Sequence, residues 1–234
     1  MQQWVVRMLG PWQVLADGQP VEGWVSAKAQ ALVAYLACHE GPQSRQALMG
    51  LFWGEMPDSA ARANLRKVLS NVRHIVGPLL QIERDHVVFL PEAAVVDWRL
   101  VRACANQPGA SAAELEAAAA LANGEFLAGL TLRDAPAFEE WLVAQREHAQ
   151  QTLITLFEAL AHAQARRGDS AACHQAVARL LALDPYHEPA YRLLMRALAQ
   201  SGQRSAALAA FEQCRRRLEE DLGLDPLPET LALY

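Results

Sequence analysis

The sequence predicts a mixed fold, an N-terminal α+β part followed by an all-α helical repeat, on three observations. Short runs rich in Val, Trp and Leu alternate with helical segments as far as Pro91, and four of the six tryptophans (Trp4, Trp12, Trp24, Trp53) lie there. Beyond that point the chain is Ala- and Leu-rich, with helical periodicity almost throughout. Gly168 and Gly202 stand 34 residues apart, which is the tetratricopeptide period.

The first part is expected to run as strands, three helices and a hairpin. Residues 4–9 and 12–16 form short strands around Gly10-Pro11, and Asp17-Gly18 is a hairpin-turn signal. Ser26 caps a helix carrying Ala31, Leu32, Ala34, Tyr35 and Leu36, which Glu40-Gly41-Pro42 stops. A second short helix spans 44–53 and ends at Gly54 and Pro57. Asp58 or Ser59 caps the third, 60–76, which Gly77-Pro78 closes. The β-like runs 79–82 and 87–90 then flank the polar tip Glu83-Arg84-Asp85-His86. Three helices and a hairpin in that order are the layout of a winged helix-turn-helix.

The third helix carries the chemistry. No acidic residue occurs from Ser59 through Ile82, whereas Arg62, Arg66, Lys67 and Arg73 are basic. At about 100° per residue, Leu65, Val68, Leu69, Val72, Ile75 and Val76 share one arc. Arg62, Arg66, Lys67, Ser70, Arg73 and His74 share the opposite one, with Asn64 and Asn71 at the edge. Arg and Asn are the side chains that pair bidentately with guanine and adenine in a major groove, and Lys and Ser reach phosphates. A merely solvated face would mix signs for solubility. The expectation is therefore double-stranded DNA on this face.

The second part is expected to be helical over 97–106, 111–121, 136–167, 170–183, 188–200 and 205–222. The 34-residue register aligns Leu160 with Leu194, Ala165 with Ala199, Ala172 with Ala206 and Ala176 with Ala210. Small residues there let paired helices approach, and each glycine separates one helix from the next. Such arrays bind other proteins or pack on a neighbouring domain. Trp141 could anchor packing between domains or be an ordinary core aromatic, and the second is preferred.

Composition bounds the function. With 52% hydrophobic residues the 234-residue chain can fold, no run of about 18 apolar residues spans a bilayer, and no secretory leader precedes Trp4. A soluble protein of the bacterial cytoplasm, with no membrane partner, is expected. The net charge of −5 argues against nucleic acid, but residues 1–92 are neutral, so the whole surplus lies in the second part. Cys38, Cys104, Cys173 and Cys214 lack zinc spacing and count as small apolar residues. No phosphate-cradling glycine loop or His-Glu-x-x-His pattern occurs, and Cys173 and His174, adjacent on a helix, point about 100° apart. No enzyme activity, cofactor, metal site or catalytic residue is expected.

Residues 51–55 (Leu-Phe-Trp-Gly-Glu), 59–65 (Ser-Ala-Ala-Arg-Ala-Asn-Leu) and 68–73 (Val-Leu-Ser-Asn-Val-Arg) resemble the DNA-binding domain of the Streptomyces antibiotic regulatory protein (SARP) family. Leu9-Gly10-Pro11, Gly18-Gln19-Pro20-Val21 and 28–32 (Lys-Ala-Gln-Ala-Leu) fit the same pattern. Residues 134–141, Arg146, 186–199 and the tail Gly223-Leu224-Asp225-Pro226-Leu227-Pro228-Glu229 resemble the bacterial transcriptional activator domain that follows it. The resemblance implies a winged helix DNA-binding domain over 1–92 and a tetratricopeptide-like activator domain over 95–234. It implies a transcription activator that binds promoter DNA, contacts RNA polymerase and can pair as a homodimer. Arg62, Asn64, Arg66, Lys67, Ser70, Asn71, Arg73 and His74 become DNA-facing, with Arg84 in the wing. The tip departs from the family, placing Glu83 and Asp85 where phosphate would be repelled. Arg84 and His86 thus stand between a wing contact and a solvated turn. The chain ends just after its tail motif, with no capping helix expected, as in a small family member or the front of a longer regulator. A winged helix used only as a protein-interaction scaffold is the alternative.

Overall fold

In the computed structural model, which describes residues 2–234, the chain divides into two units. One comprises the residues up to Leu100 together with Leu121–Ala149; the other comprises Val101–Ala120 with Gln150–Tyr234. These units do not follow the change in composition near residue 92, because residues 121–149 fold with the N-terminal part.

In the first unit, β1 (Trp4–Arg7) pairs antiparallel with β2 (Gln13–Ala16), placing Val6 opposite Val14. Asp17 and Gly18 both take positive φ, as a tight hairpin turn between right-twisted strands requires, and β3 (Gln19–Pro20) follows. The other side of β1 is covered by β7 (Val95–Val96), parallel and about 90 residues later in the chain. Ser26 caps α1 (Ala27–Cys38) by accepting from the Ala29 N–H, and Ser44 caps α2 (Arg45–Trp53) through Ala47. α3 (Asp58–Val76) comes next. The hairpin β5 (Leu80–Ile82) and β6 (His86–Phe89) gains a third strand from β4 (Gln43–Ser44), which pairs with β6. Leu32, Leu36, Leu48, Phe52, Leu65, Val72, Val76, Leu79 and Val87 form the core beneath the three helices.

Immediately after β7, α4 (Asp97–Ala105) begins, and the buried Asp97 carboxylate accepts from the backbone N–H of Met8, Leu9 and Trp98. Burial raises the Asp97 pKa above the ordinary carboxylate value, while these hydrogen bonds pull it down. Segment 121–135 bridges back to the same stretch, Leu9 to Phe126 and Pro11 to Ala128. A Cβ on Gly124 would stand 3.1 Å from Gly10 Cα, so the approach demands glycine. Arg146, on the long helix α6 (Pro136–Arg166), donates to the Phe126 and Leu127 carbonyls and pairs with Glu125 at 3.2 Å. Trp141 is half-buried, its ring 5.0 Å from that of Tyr35 on α1 and 5.3 Å from Phe138. It packs α6 on α1 as part of an aromatic cluster inside this one unit.

The second unit is wholly helical. α7 (Ser170–Leu183), α8 (Glu188–Gln200) and α9 (Arg204–Leu222) pack in sequence, α8 against both neighbours. Gly168 and Gly202 take φ of 75° and 79°, the same left-handed turn one repeat apart. α5 (Ala112–Leu121) is tied to the array by Arg179, which donates to the Ala119 carbonyl, and by the Arg167–Glu116 pair. Cys173 is buried and His174 exposed; all four cysteines are free.

Several local expectations are corrected. α3 starts at Asp58 with Pro57 as the capping residue, so neither Asp58 nor Ser59 caps it: the Pro57 carbonyl takes the Ala60 and Ala61 N–H groups. Leu79 belongs to a single 3₁₀ turn, not to the hairpin strand. The tail does form a terminal helix, α10 (Pro228–Leu233). Buried Glu188 accepts from Leu227 N–H and the Thr230 hydroxyl, and Tyr234 stacks on Phe211 at 4.2 Å. The helical period of the tail is too short to register as a repeat, and its anchor is a polar network rather than an apolar stripe.

Candidate nucleic-acid interface

The site is built where α2 turns into α3. Gly54 ends α2 with its Cα so close to the preceding turn that a Cβ would lie 2.6 Å from the Gly50 carbonyl oxygen. The turn is held from beneath by Lys28, whose ammonium donates to the Phe52 carbonyl at 2.7 Å, pairs with Asp134 at 3.0 Å and lies 5.3 Å from the Trp53 ring centre.

From that turn α3 presents two faces. Ala61, Leu65, Val68, Leu69, Val72 and Val76 are buried, as the apolar arc predicts, while Ile75 is half-exposed. Arg62, Arg66, Lys67, Ser70, Arg73 and His74 are exposed. Among the described residues, Arg62, Arg66, Lys67, Ser70 and His74 form no hydrogen bond or ion pair through their side chains. Cations held without an acidic partner keep their full charge for a ligand.

The remaining candidates have partners. The Asn71 amide donates to the Gly23 carbonyl at 2.9 Å and accepts from the Val25 N–H at 3.1 Å, clasping the loop before α1 onto α3. Arg73 donates to the Ile82 carbonyl at 3.1 Å, joining α3 to the hairpin. Asn64 lies 3.4 Å from the Met56 sulfur in the turn. These three position the face as well as belonging to it.

The hairpin tip closes with Glu83 N–H donating to the His86 carbonyl. Its far side is tied to α2, because the Arg45 N–H donates to the Asp85 carbonyl. Between α2, α3 and the tip lies a groove of about 640 Å³ bordered by Ser44, Arg45, Arg62, Arg66, Arg84 and His86, with Asp85 among them. The His86 ring hydrogen-bonds the Asp85 carboxylate at 2.7 Å and holds its pKa below the ordinary value, with Arg45 adding to the effect. Arg84 and His86 thus share one groove with Arg62 and Arg66.

Sequence reasoning missed Arg45. It was legible as the residue after the Ser44 cap, but a search for charge along one helix does not find a cation contributed by another. Its Nε is buried without a partner among the described residues.

A profile of the bacterial transcriptional activator domain matches residues 93–234. The chain is 29% identical to the transcriptional regulatory protein EmbR of Mycobacterium tuberculosis, covering 97% of this chain and 61% of EmbR. It is 30% identical to the regulatory protein AfsR of Streptomyces coelicolor, covering 94% of this chain and 23% of that protein. The structure of Mycobacterium tuberculosis EmbR in complex with a low affinity phosphopeptide matches with a TM-score of 0.75 at 28% identity, covering 100% of this chain and 64% of that one. The chain therefore spans about three-fifths of EmbR and under a quarter of AfsR.

Proposed function

The chain belongs to the bacterial transcriptional activator domain family and is of the SARP type, and from that premise we propose that it is a sequence-specific DNA-binding regulator of transcription. Residues 1–92 recognise double-stranded promoter DNA, with α3 in the major groove and the 83–86 tip alongside it. Residues 95–234 contact protein, RNA polymerase above all, and the chain acts in the cytoplasm as an activator, paired as a homodimer on its operator.

One observation carries this reading. Arg62, Arg66 and Lys67 stand exposed on one helix face without an acidic partner, in a chain whose overall charge is negative. An unneutralised basic stripe on an acidic protein is electrostatically useful only against an anion, and DNA is the anion that Arg and Asn can also read. The family's composition of transcriptional regulators supports it independently.

A gel shift of the protein on its own upstream region, at two salt concentrations, tests the proposal. Retardation that weakens steeply with salt and withstands unrelated competitor DNA is expected. Absence of retardation at low salt would leave the winged helix as a protein-interaction scaffold.

A further inference from the structure

The aim of the basic face depends on the turn that launches α3. Phe52 and Trp53 end α2, Gly54 follows, and α3 starts at Asp58. The polar clasps on α3, Asn71 to Gly23 and Val25 and Arg73 to Ile82, lie in its C-terminal half. Arg62 and Arg66 lie in the other half, next to the turn, and Asn64 there stands 3.4 Å from the Met56 sulfur in the turn itself. The seating of the turn therefore bears directly on where those two guanidinium groups are held.

The seat comes from far along the chain, from residues 134–141. The Phe138 ring stacks on Phe52 with centres 5.2 Å apart and planes 29° from parallel, and both side chains are fully buried. The Asp134 carboxylate pairs with the Lys28 ammonium at 3.0 Å and its carbonyl accepts from the same nitrogen at 3.4 Å. That ammonium in turn donates to the Phe52 carbonyl and lies over the Trp53 ring. Trp141 backs Phe138 at 5.3 Å and Tyr35 at 5.0 Å, and Tyr35 meets the Phe52 ring edge-on at 6.2 Å. All of these residues belong to one unit, yet 134–141 fall inside the stretch that the activator-domain profile matches. Packed rings cannot shift without opening a void, so this stack fixes the end of α2.

We propose that Phe138 is a positioning residue for DNA recognition: acting through Phe52, it holds the α2–α3 turn so that α3 meets base edges in register. The proposal rests on the reading of α3 as the helix in the major groove. A bidentate contact with a base needs the guanidinium plane in place, whereas a cation attracts phosphate over a longer range and from many directions. A loosened seat thus costs operator recognition and spares non-specific affinity. Residues 134–141 then serve the reading of DNA, although they lie in the part of the chain that contacts protein.

The test uses the full chain, a fragment of its own upstream region and unrelated DNA of equal length, titrated at a temperature where circular dichroism shows each variant folded. Phe138→Leu removes the stacked ring and keeps an apolar side chain. Phe126→Leu is the matched control, a buried ring of segment 121–149 whose ring partner is Trp98 at 5.5 Å. Both variants should melt below wild type. Phe138→Leu is expected to weaken binding to the upstream fragment about tenfold or more, the worth of roughly one bidentate base contact, while affinity for unrelated DNA stays within about twofold and its salt slope is unchanged. Phe126→Leu should leave both affinities within about twofold of wild type. Equal changes in the two variants, a loss of equal size on both DNAs, or an unchanged ratio in Phe138→Leu overturns the positioning role and leaves the DNA-binding reading standing. Should Phe138→Leu not fold, Trp141→Leu, at a half-buried position, is judged by the same criteria. A wild type without preference for the upstream fragment overturns both.

Discussion

The Lys28 ammonium lies 3.0 Å from the Asp134 carboxylate, across 106 residues of sequence, while it donates to the Phe52 carbonyl at the end of α2. Lys28 is only 8% exposed, but Asp134 is largely in solvent. Most of the stabilisation therefore comes from the hydrogen bond to Phe52, not from the ion pair. Lys28→Met should cost about 1.5 to 3 kcal/mol in urea unfolding, and Asp134→Asn less than about 1 kcal/mol. Equal effects of the two would show that the ion pair dominates.

Arg62→Ala and Arg66→Ala should each weaken DNA binding. A side chain that reads a base loses about 1 to 3 kcal/mol on the operator alone. One that touches phosphate lowers the slope of log K against log salt by about 0.9 on any sequence. Arg45→Ala should follow the second pattern, because it lies beside the α2 N-terminus rather than on α3. Titrations on operator and unrelated DNA at several salt concentrations separate the cases, and unchanged binding by combined Arg62→Ala, Arg66→Ala and Arg73→Ala would remove α3 from the interface.

Asn71→Ala should act on both stability and binding. Its two hydrogen bonds to Gly23 and Val25 are lost together, at about 1 to 2 kcal/mol. Affinity should fall by a similar factor for operator and unrelated DNA, since the loop is loosened and no base is misread. Loss confined to the operator, with stability intact, would make Asn71 a base reader instead.

Asp97 gives stability a pH dependence of definite sign. Its pKa is raised by burial, so the folded chain binds more protons than the unfolded one between the ordinary carboxylate value and the raised one. Asp97's contribution is full below that window and declines as pH rises through it. Asp97→Asn lacks this decline. It also offers one acceptor oxygen where two serve Met8, Leu9 and Trp98, and should cost about 1 to 3 kcal/mol. Urea unfolding of both chains from about pH 4 to about pH 7 checks the sign; a wild-type gain with rising pH, absent in Asp97→Asn, would reverse it.

The helices were legible because each repeats its apolar positions locally. The period of 3.6 in α3 and the 34-residue step between Gly168 and Gly202 need no knowledge of distant residues. What escaped the sequence is what depends on them. β4 and β7 are two residues each, and only their pairing with β6 and β1 makes them strands. The basic face was legible along α3, yet the commitment of Asn71 to Gly23 and of Arg73 to Ile82 was not, since side chains of the same type serve structure or ligand according to what folds beside them. The ring partner of Trp141 was hidden for the same reason: Tyr35 is about 100 residues away.

The parallel pairing of β1 with β7 also bears on how the N-terminal half can be isolated or made. A fragment ending at residue 92 lacks Val95 and Val96, which cover one side of β1, and Asp97, which receives the Met8 and Leu9 amides. It would present an open strand edge, the template on which chains stack into aggregates. On the ribosome the same edge stays bare until about the first hundred residues have emerged, so nascent chains are most vulnerable to mispairing just before β7 is synthesised.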